Sequence, residues 1–192
     1  MNTPAIILLT GEMRTGKSTL CQKLAQRLRE NGISTSGLIT EHPTLHSLEA
    51  VAIHTNERYL LTYPFESRQG RALTHFRMNP AAMARSTEAL TTSFPTQVFI
   101  FDELGPLELL RGEGWNAVFH LLANAEYLVA FIVVRPMLLA QAIQQLPHSI
   151  YTLAHITLEN RDSLAEALLQ RTWRLFEKDV PPPRYPGTKQ NS

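Results

Sequence analysis

The sequence predicts an α/β fold with a largely parallel central sheet, helices on its flanks and a β-hairpin added at one edge. Three observations predict it. Apolar runs of strand length, among them AIILLT, QVFIFDE and EYLVAFIVV, alternate with segments of helical period. These runs show little polar alternation, as expected of strands covered on both faces. A further pair, LEAVAIHT and RYLLTY, is separated by the polar Asn56 and Glu57 and reads as a hairpin at the sheet edge.

Taken in order, residues 5–10 form the first strand. From Lys17 onward Leu20, Leu24 and Leu28 recur at helical spacing, and Gly32 stops the helix. TSGLIT at 35–40 is the second strand, and the hairpin follows it. Asn79 and Pro80 open a helix over AAMARSTEALTT, with the proline in the tolerated first turn. Residues 97–103 make a strand ending in two carboxylates, and 116–124 are helical. EYLVAFIVV is a buried strand closed by Arg135 and Pro136, with a helix behind it through Gln145. Residues 149–158 are mostly strand, and RDSLAEALLQRTWRLF is a long closing helix. One domain over 1–178 is expected, with 179–192 a flexible tail because PPPRYPGTKQNS has no apolar period.

At 192 residues, 44% of them hydrophobic, the chain can bury one sizeable core. A net charge of +1 gives no overall field for nucleic acid or an acidic membrane, so neither is expected as a partner. The start MNTPAIILLT lacks a basic leader, and YLVAFIVV is far short of a membrane span. A cytoplasmic protein, monomeric or weakly oligomeric, is expected. The single cysteine, Cys21, excludes an internal disulfide and reads as a buried apolar side chain. His42 and His46 flank Pro43 with no third ligand nearby, so no metal pair is expected there. Arg71, His75, Arg77 and Arg85 form a basic stretch best read as solvated.

Gly11-Glu12-Met13-Arg14-Thr15-Gly16-Lys17-Ser18 satisfies G-x-x-x-x-G-K-[ST], and Thr19 follows it. A strand precedes the motif and an amphipathic helix follows. Such a loop turns successive backbone N–H groups toward phosphate oxygens, and the helix N-terminus adds positive potential. Lys17 would reach the β- and γ-phosphates, and the Ser18 hydroxyl would ligate Mg²⁺. The charged side chains of Glu12 and Arg14 must point away from the phosphates, although Arg14 could lean over the γ-phosphate.

A phosphate loop serves many chemistries, so VFIFDELG is the discriminator. Its apolar run into Asp102 is the Walker B pattern, with the aspartate in the Mg²⁺ shell. Glu103, one residue on, is placed to orient and deprotonate a water; the plainer alternative is that it caps the turn. Asp102 to Gly105 also spells D-x-x-G, but no guanine-specifying N-K-x-D occurs in the chain. Glu103 suits water better than a bound acceptor, which disfavours a kinase.

These motifs resemble the THEP-type nucleoside triphosphatases, small P-loop proteins that hydrolyse NTPs slowly with little base preference. GLITEH at 37–42 resembles the family's G-[FL]-x-T-E segment. DELGPLELL resembles its D-E-I-G-x-M-E-L stretch, and LENRD its E-N-R-D segment, so the likeness spans most of residues 5–169. The resemblance implies a RecA-like P-loop NTPase sheet in which the strand after Walker B lies between the two Walker strands. Arg135 would then face the γ-phosphate as a sensor or transition-state cation, unless it is a solvated loop residue. It also implies that Asn160 and Arg161 lie near base and ribose, where an arginine plane stacks on any base. Asn160 as helix N-cap and Arg161 as a surface residue is the alternative.

Glu41 and Glu108 fall in family-like segments without a derivable role, except that Glu108 could orient Glu103 or a lysine. Met13 and Arg14 stand where small residues are usual, Pro106-Leu107 replaces a lysine-methionine-like pair, and the Gly70-Arg71 region is degraded. The implied activity is Mg²⁺-dependent hydrolysis of nucleoside triphosphates such as ATP or GTP. Two alternatives stand beside it: a nucleotide-dependent binding module with vestigial hydrolysis, and phosphoryl transfer to a small molecule or polynucleotide end.

Overall fold

The computed structural model describes residues 4–44, 47–64, 76–147 and 150–179. Gly70, Arg71, His75, His46 and the tail from 180 lie outside them. Among the described residues nine strands and five α-helices follow one another as β1 (Ala5–Thr10), α1 (Lys17–Glu30), β2 (Thr35–Thr44), β3 (Ser47–Ala52), β4 (Arg58–Leu60), β5 (Thr62–Pro64), β6 (Phe76–Met78), α2 (Pro80–Thr91), β7 (Val98–Leu104), α3 (Ala117–Asn124), β8 (Val129–Val134), α4 (Leu139–Gln145), β9 (Ile150–His155) and α5 (Arg161–Asp179). A π-turn at Leu107–Arg111 and a 3₁₀ turn at Pro136–Leu138 complete them.

Seven strands make the main sheet in the order β4-β3-β2-β7-β8-β1-β9. The five from β2 to β9 are parallel, and β3 and β4 are antiparallel additions at the edge. The expected edge hairpin is therefore present. Strand β8 lies between β7 and β1, the arrangement that the family resemblance implies. Two features depart from the reading. Strand β2 does not stop at Thr40 but runs on to Thr44 through a bulge, because β3 pairs back onto it. RYLLTY divides into β4 and β5, and β5 pairs with β6 as a separate ribbon.

The sheet is buried on both faces. On one side α1 and α5 cover Ile7, Leu9, Ile39, Ile100 and Phe131; on the other α2, α3 and α4 cover Ile6, Leu8, Leu38, Phe99 and Phe101. Helix α1 turns Leu20, Cys21, Leu24 and Leu28 inward, and each fully buried leucine contributes about 1.5–3 kcal/mol. Helix α2 begins as expected: Asn79 Oδ1 accepts from the Ala82 N–H at 3.2 Å, and Pro80 stands in the first turn.

One residue decides how closely β2 approaches β7. Gly37 (φ 119°) pairs with Ile100, and a Cβ there would lie 1.9 Å from the Ile100 carbonyl oxygen. Only glycine lets the strands meet at this register. Gly37→Ala should therefore lose at least about 3 kcal/mol, read as a lower urea midpoint; an unchanged midpoint would show that the strands absorb the clash.

Candidate functional site

The parallel strands deliver the predicted residues to one end of the sheet, past the carboxyl ends of β1, β7 and β8. Strand β1 leads into the loop at 11–16, where Arg14 (φ 62°) and Gly16 (φ 89°) are left-handed and curl the backbone before α1 begins. Gly11 is required by close approach, since a Cβ there would lie 2.4 Å from the Ile156 carbonyl oxygen. No acidic side chain occupies the first turn of α1, so nothing on the helix itself offsets its positive end. Glu12, Met13, Arg14 and Thr19 are exposed, leaving the interior of the loop to backbone.

The Lys17 ammonium spans this loop. It donates to the Gly11 carbonyl at 2.9 Å and to the Glu12 carbonyl, which also accepts from the Thr15 hydroxyl at 3.0 Å. Burial lowers the Lys17 pKa, with the Asp102 charge opposing the shift.

Asp102 ends up among the most costly surroundings in the chain. It is 4% exposed, and its Oδ2 accepts from the Thr40 N–H at 3.3 Å and the Thr40 hydroxyl at 3.2 Å. Its Oδ1 is buried with no hydrogen-bond partner. Burial raises this carboxyl from an ordinary 3.8 to about 7, while the Ser18 hydroxyl and Thr40 favour its charged form. Beneath it the Cys21 thiol is buried as expected, its pKa raised by burial and then by Asp102. An orphaned carboxylate oxygen beside a serine hydroxyl fits a hard divalent cation such as Mg²⁺.

The next residue, Glu103, is partly exposed and receives the Arg135 Nη2 at 2.6 Å on Oε1. Arg135 is thus exposed but partnered, held against Glu103. Glu108, for which an orienting role toward Glu103 or a lysine was conceivable, serves the backbone. Its buried carboxylate accepts from the Gly105 N–H at 3.1 Å and the Trp115 N–H at 3.0 Å. Burial raises its pKa despite these bonds. The π-turn after β7 is thereby tied to the start of α3, where Trp115 packs edge-on to Phe101 and donates to Ser86.

At the other end of the loop, the Arg161 side chain lies on Gly16. A Cβ on Gly16 would stand 2.5 Å from Arg161 Cδ and 2.6 Å from its Nη1. The Arg161 Nε is buried without a partner. Asn160 is committed to its own turn: it accepts from the Thr157 N–H at 2.8 Å and donates to the His155 carbonyl at 2.9 Å. The structure therefore brings Arg161 to the loop itself, and Asn160 supports that placement from the preceding turn.

Thr40 was not identified from the sequence. The signals for it were its place at the buried end of a strand and as the threonine of the G-[FL]-x-T-E segment. Glu41, next to it, accepts from Gln22 Nε2 at 2.7 Å and Arg58 Nη1 at 2.6 Å. Beyond Glu41 a cavity of about 460 Å³ opens between α1 and the β2–β3 edge, away from the phosphate loop.

A family model described as NTPase matches residues 6–169. Nucleoside-triphosphatase THEP1 of Methanopyrus kandleri is 27% identical over 183 residues, covering 91% of this chain and 99% of that protein. Among solved structures, that of a human cancer-related nucleoside triphosphatase is similar at TM-score 0.67 and 22% identity, over 88% of this chain and 98% of that one. THEP1 from the hyperthermophile Aquifex aeolicus is similar at TM-score 0.58 and 24% identity, over 87% of this chain and 98% of that one. At such identities the two structures speak to the fold.

The burial of Asp102 has a measurable consequence for the nucleotide-free protein. The folded carboxyl titrates near 7 and the unfolded one near 3.8, so the folded state holds the extra proton between these values. Stability should rise as pH falls from 8 to 5. Asp102→Asn removes the buried charge and should stabilise the protein by about 1 kcal/mol at pH 8, with the gain vanishing by pH 5. Urea unfolding at both pH values tests this; a variant no more stable than its parent at pH 8 would contradict it.

Proposed function

The chain belongs to the NTPase family, and on that premise we propose that it is a Mg²⁺-dependent nucleoside triphosphatase that releases the terminal phosphate slowly and with broad base preference. One observation carries the reading. The loop with Lys17 and Ser18, the buried Asp102 and the partly exposed Glu103 meet at the carboxyl ends of the parallel strands, although they come from two strands separated by β8.

In this reading the loop backbone from Gly11 to Ser18 holds the phosphates. Lys17 exchanges its two carbonyl partners for β- and γ-phosphate oxygens. The Ser18 hydroxyl and the Asp102 carboxylate would hold Mg²⁺, which when bound neutralises phosphate charge. Glu103 accepts a proton from the water that attacks the γ-phosphorus, and Arg135 stands beside it as a cation for the terminal phosphate. Arg161, which lies on Gly16, would contact the phosphate chain or the base plane. Broad base preference draws support from the absence of an N-K-x-D segment in the sequence. Slow turnover draws support from the ion pair that occupies Glu103. Nucleoside triphosphates and Mg²⁺ are abundant in the cytoplasm, the setting this reading implies.

The same ion pair favours a second reading, a nucleotide-dependent binding module with vestigial hydrolysis, because a neutralised carboxylate is a poor base. Phosphate release from ATP, GTP, CTP and UTP with Mg²⁺ separates the two. Hydrolysis of several triphosphates is expected, with Lys17→Ala and Glu103→Gln each lowering it about 100-fold or more. Glu103→Gln should bind nucleotide no more weakly than its parent. Tight binding without release in the parent would favour the module, and labelled γ-phosphate on an acceptor would favour a kinase.

A further inference from the structure

Three charged groups at the phosphate end of the site have protein partners in this structure. Lys17 is held by loop carbonyls, Asp102 by Thr40 and Glu103 by Arg135. The first two partnerships involve backbone or a hydroxyl. The third alone joins two full charges, one of which the proposed reaction needs as a free base.

The geometry makes this pair exchangeable. Glu103 and Arg135 leave adjacent parallel strands, where Leu104 pairs with Val134. Their side chains are 29% and 45% exposed, so breaking the contact strands neither charge in the core. The Arg135 backbone is extended (φ −68°, ψ 144°) and is followed by the turn at Pro136–Leu138, which fixes where the side chain starts but leaves its end free. A terminal phosphate presents more negative charge and more acceptor oxygens than a carboxylate to the same planar fork.

We propose that Arg135 distinguishes triphosphate from diphosphate by changing partners: the terminal phosphate takes the guanidinium from Glu103, and the released carboxylate engages water. The proposal rests on the nucleotide-binding reading above. A diphosphate has no terminal group to draw Arg135 away, so the pair stays closed. Base activation is then tied to the presence of the bond to be cut. Arg135 acts as a specificity-determining residue, and its effect on Glu103 is one of release.

Calorimetric binding of the β,γ-imido analogue of ATP and of ADP, each with Mg²⁺, tests the exchange in four proteins: parent, Glu103→Gln, Arg135→Ala and the double variant. Removing the Glu103 charge frees the guanidinium, so Glu103→Gln should bind the triphosphate analogue about tenfold more tightly and ADP within about twofold of parent. Arg135→Ala should weaken the analogue selectively, and adding Glu103→Gln to it should change nothing further. Arg135→Lys should restore part of the triphosphate preference. ADP affinity reports that each variant is folded.

If Glu103→Gln tightens the analogue equally with and without Arg135, simple relief of charge repulsion is at work and the exchange is refuted. It is refuted too if Glu103→Gln leaves the analogue's affinity unchanged. Lys17→Ala is the separate control. Undiminished binding of both nucleotides by that variant would overturn the nucleotide-loop reading itself, whatever the Arg135 series shows.

Discussion

The buried carboxylate of Asp102 is the constraint to which the rest of the site answers. Taking an ionised group out of water is costly unless bonds or an opposite charge replace the solvent. Here one oxygen has Thr40 and the other is buried without a well-aligned hydrogen bond. Thr40 can reach it because Gly37 lets β2 run tightly against β7 three residues earlier. The Ser18 hydroxyl and the Cys21 thiol close the α1 side. The fold tolerates a half-satisfied carboxylate here, and in the proposed reading a divalent cation would complete it.

Around that point the other charged groups are held by neighbouring protein groups. Lys17 folds back on its own loop, Arg135 holds Glu103, and Glu108 is spent on the amides that shape the turn after β7. Such pairings keep a highly charged end of the sheet ordered, and on the proposed reading those of Lys17 and Arg135 would give way to phosphate oxygens. Glu108 differs in kind. Its buried bonds to two backbone N–H groups are structural and have no reason to open.

Much of this was legible in the sequence because it is local. The phosphate loop, Asp102 and Glu103 are contiguous motifs flanked by strand and helix patterns, and the edge hairpin was marked by two polar residues between apolar runs. What could not be read depends on contacts between distant segments. Thr40 meets Asp102 across 62 positions, and Arg161 reaches Gly16 only because α5 starts beside the loop. The β5–β6 ribbon pairs three-residue strands on either side of a long intervening segment, too short for a periodic signal. Arg135 was approachable through the strand order that the family resemblance implied, yet its partner was not. Asn160 shows the converse: a residue whose chemistry suits a nucleotide is used to fix its own turn.

The central claim is that the orphaned oxygen of Asp102 and the phosphate loop form one site for a metal–triphosphate pair. Thermal unfolding with Mg²⁺ alone, with a non-hydrolysable triphosphate alone and with both together tests it most directly. The account predicts that the two together stabilise by clearly more than the sum of their separate effects, on the order of 2–3 kcal/mol at a hundredfold excess over the dissociation constant, and that the excess disappears in Asp102→Asn. Additive stabilisation, or an excess that survives the loss of the carboxylate, would contradict it.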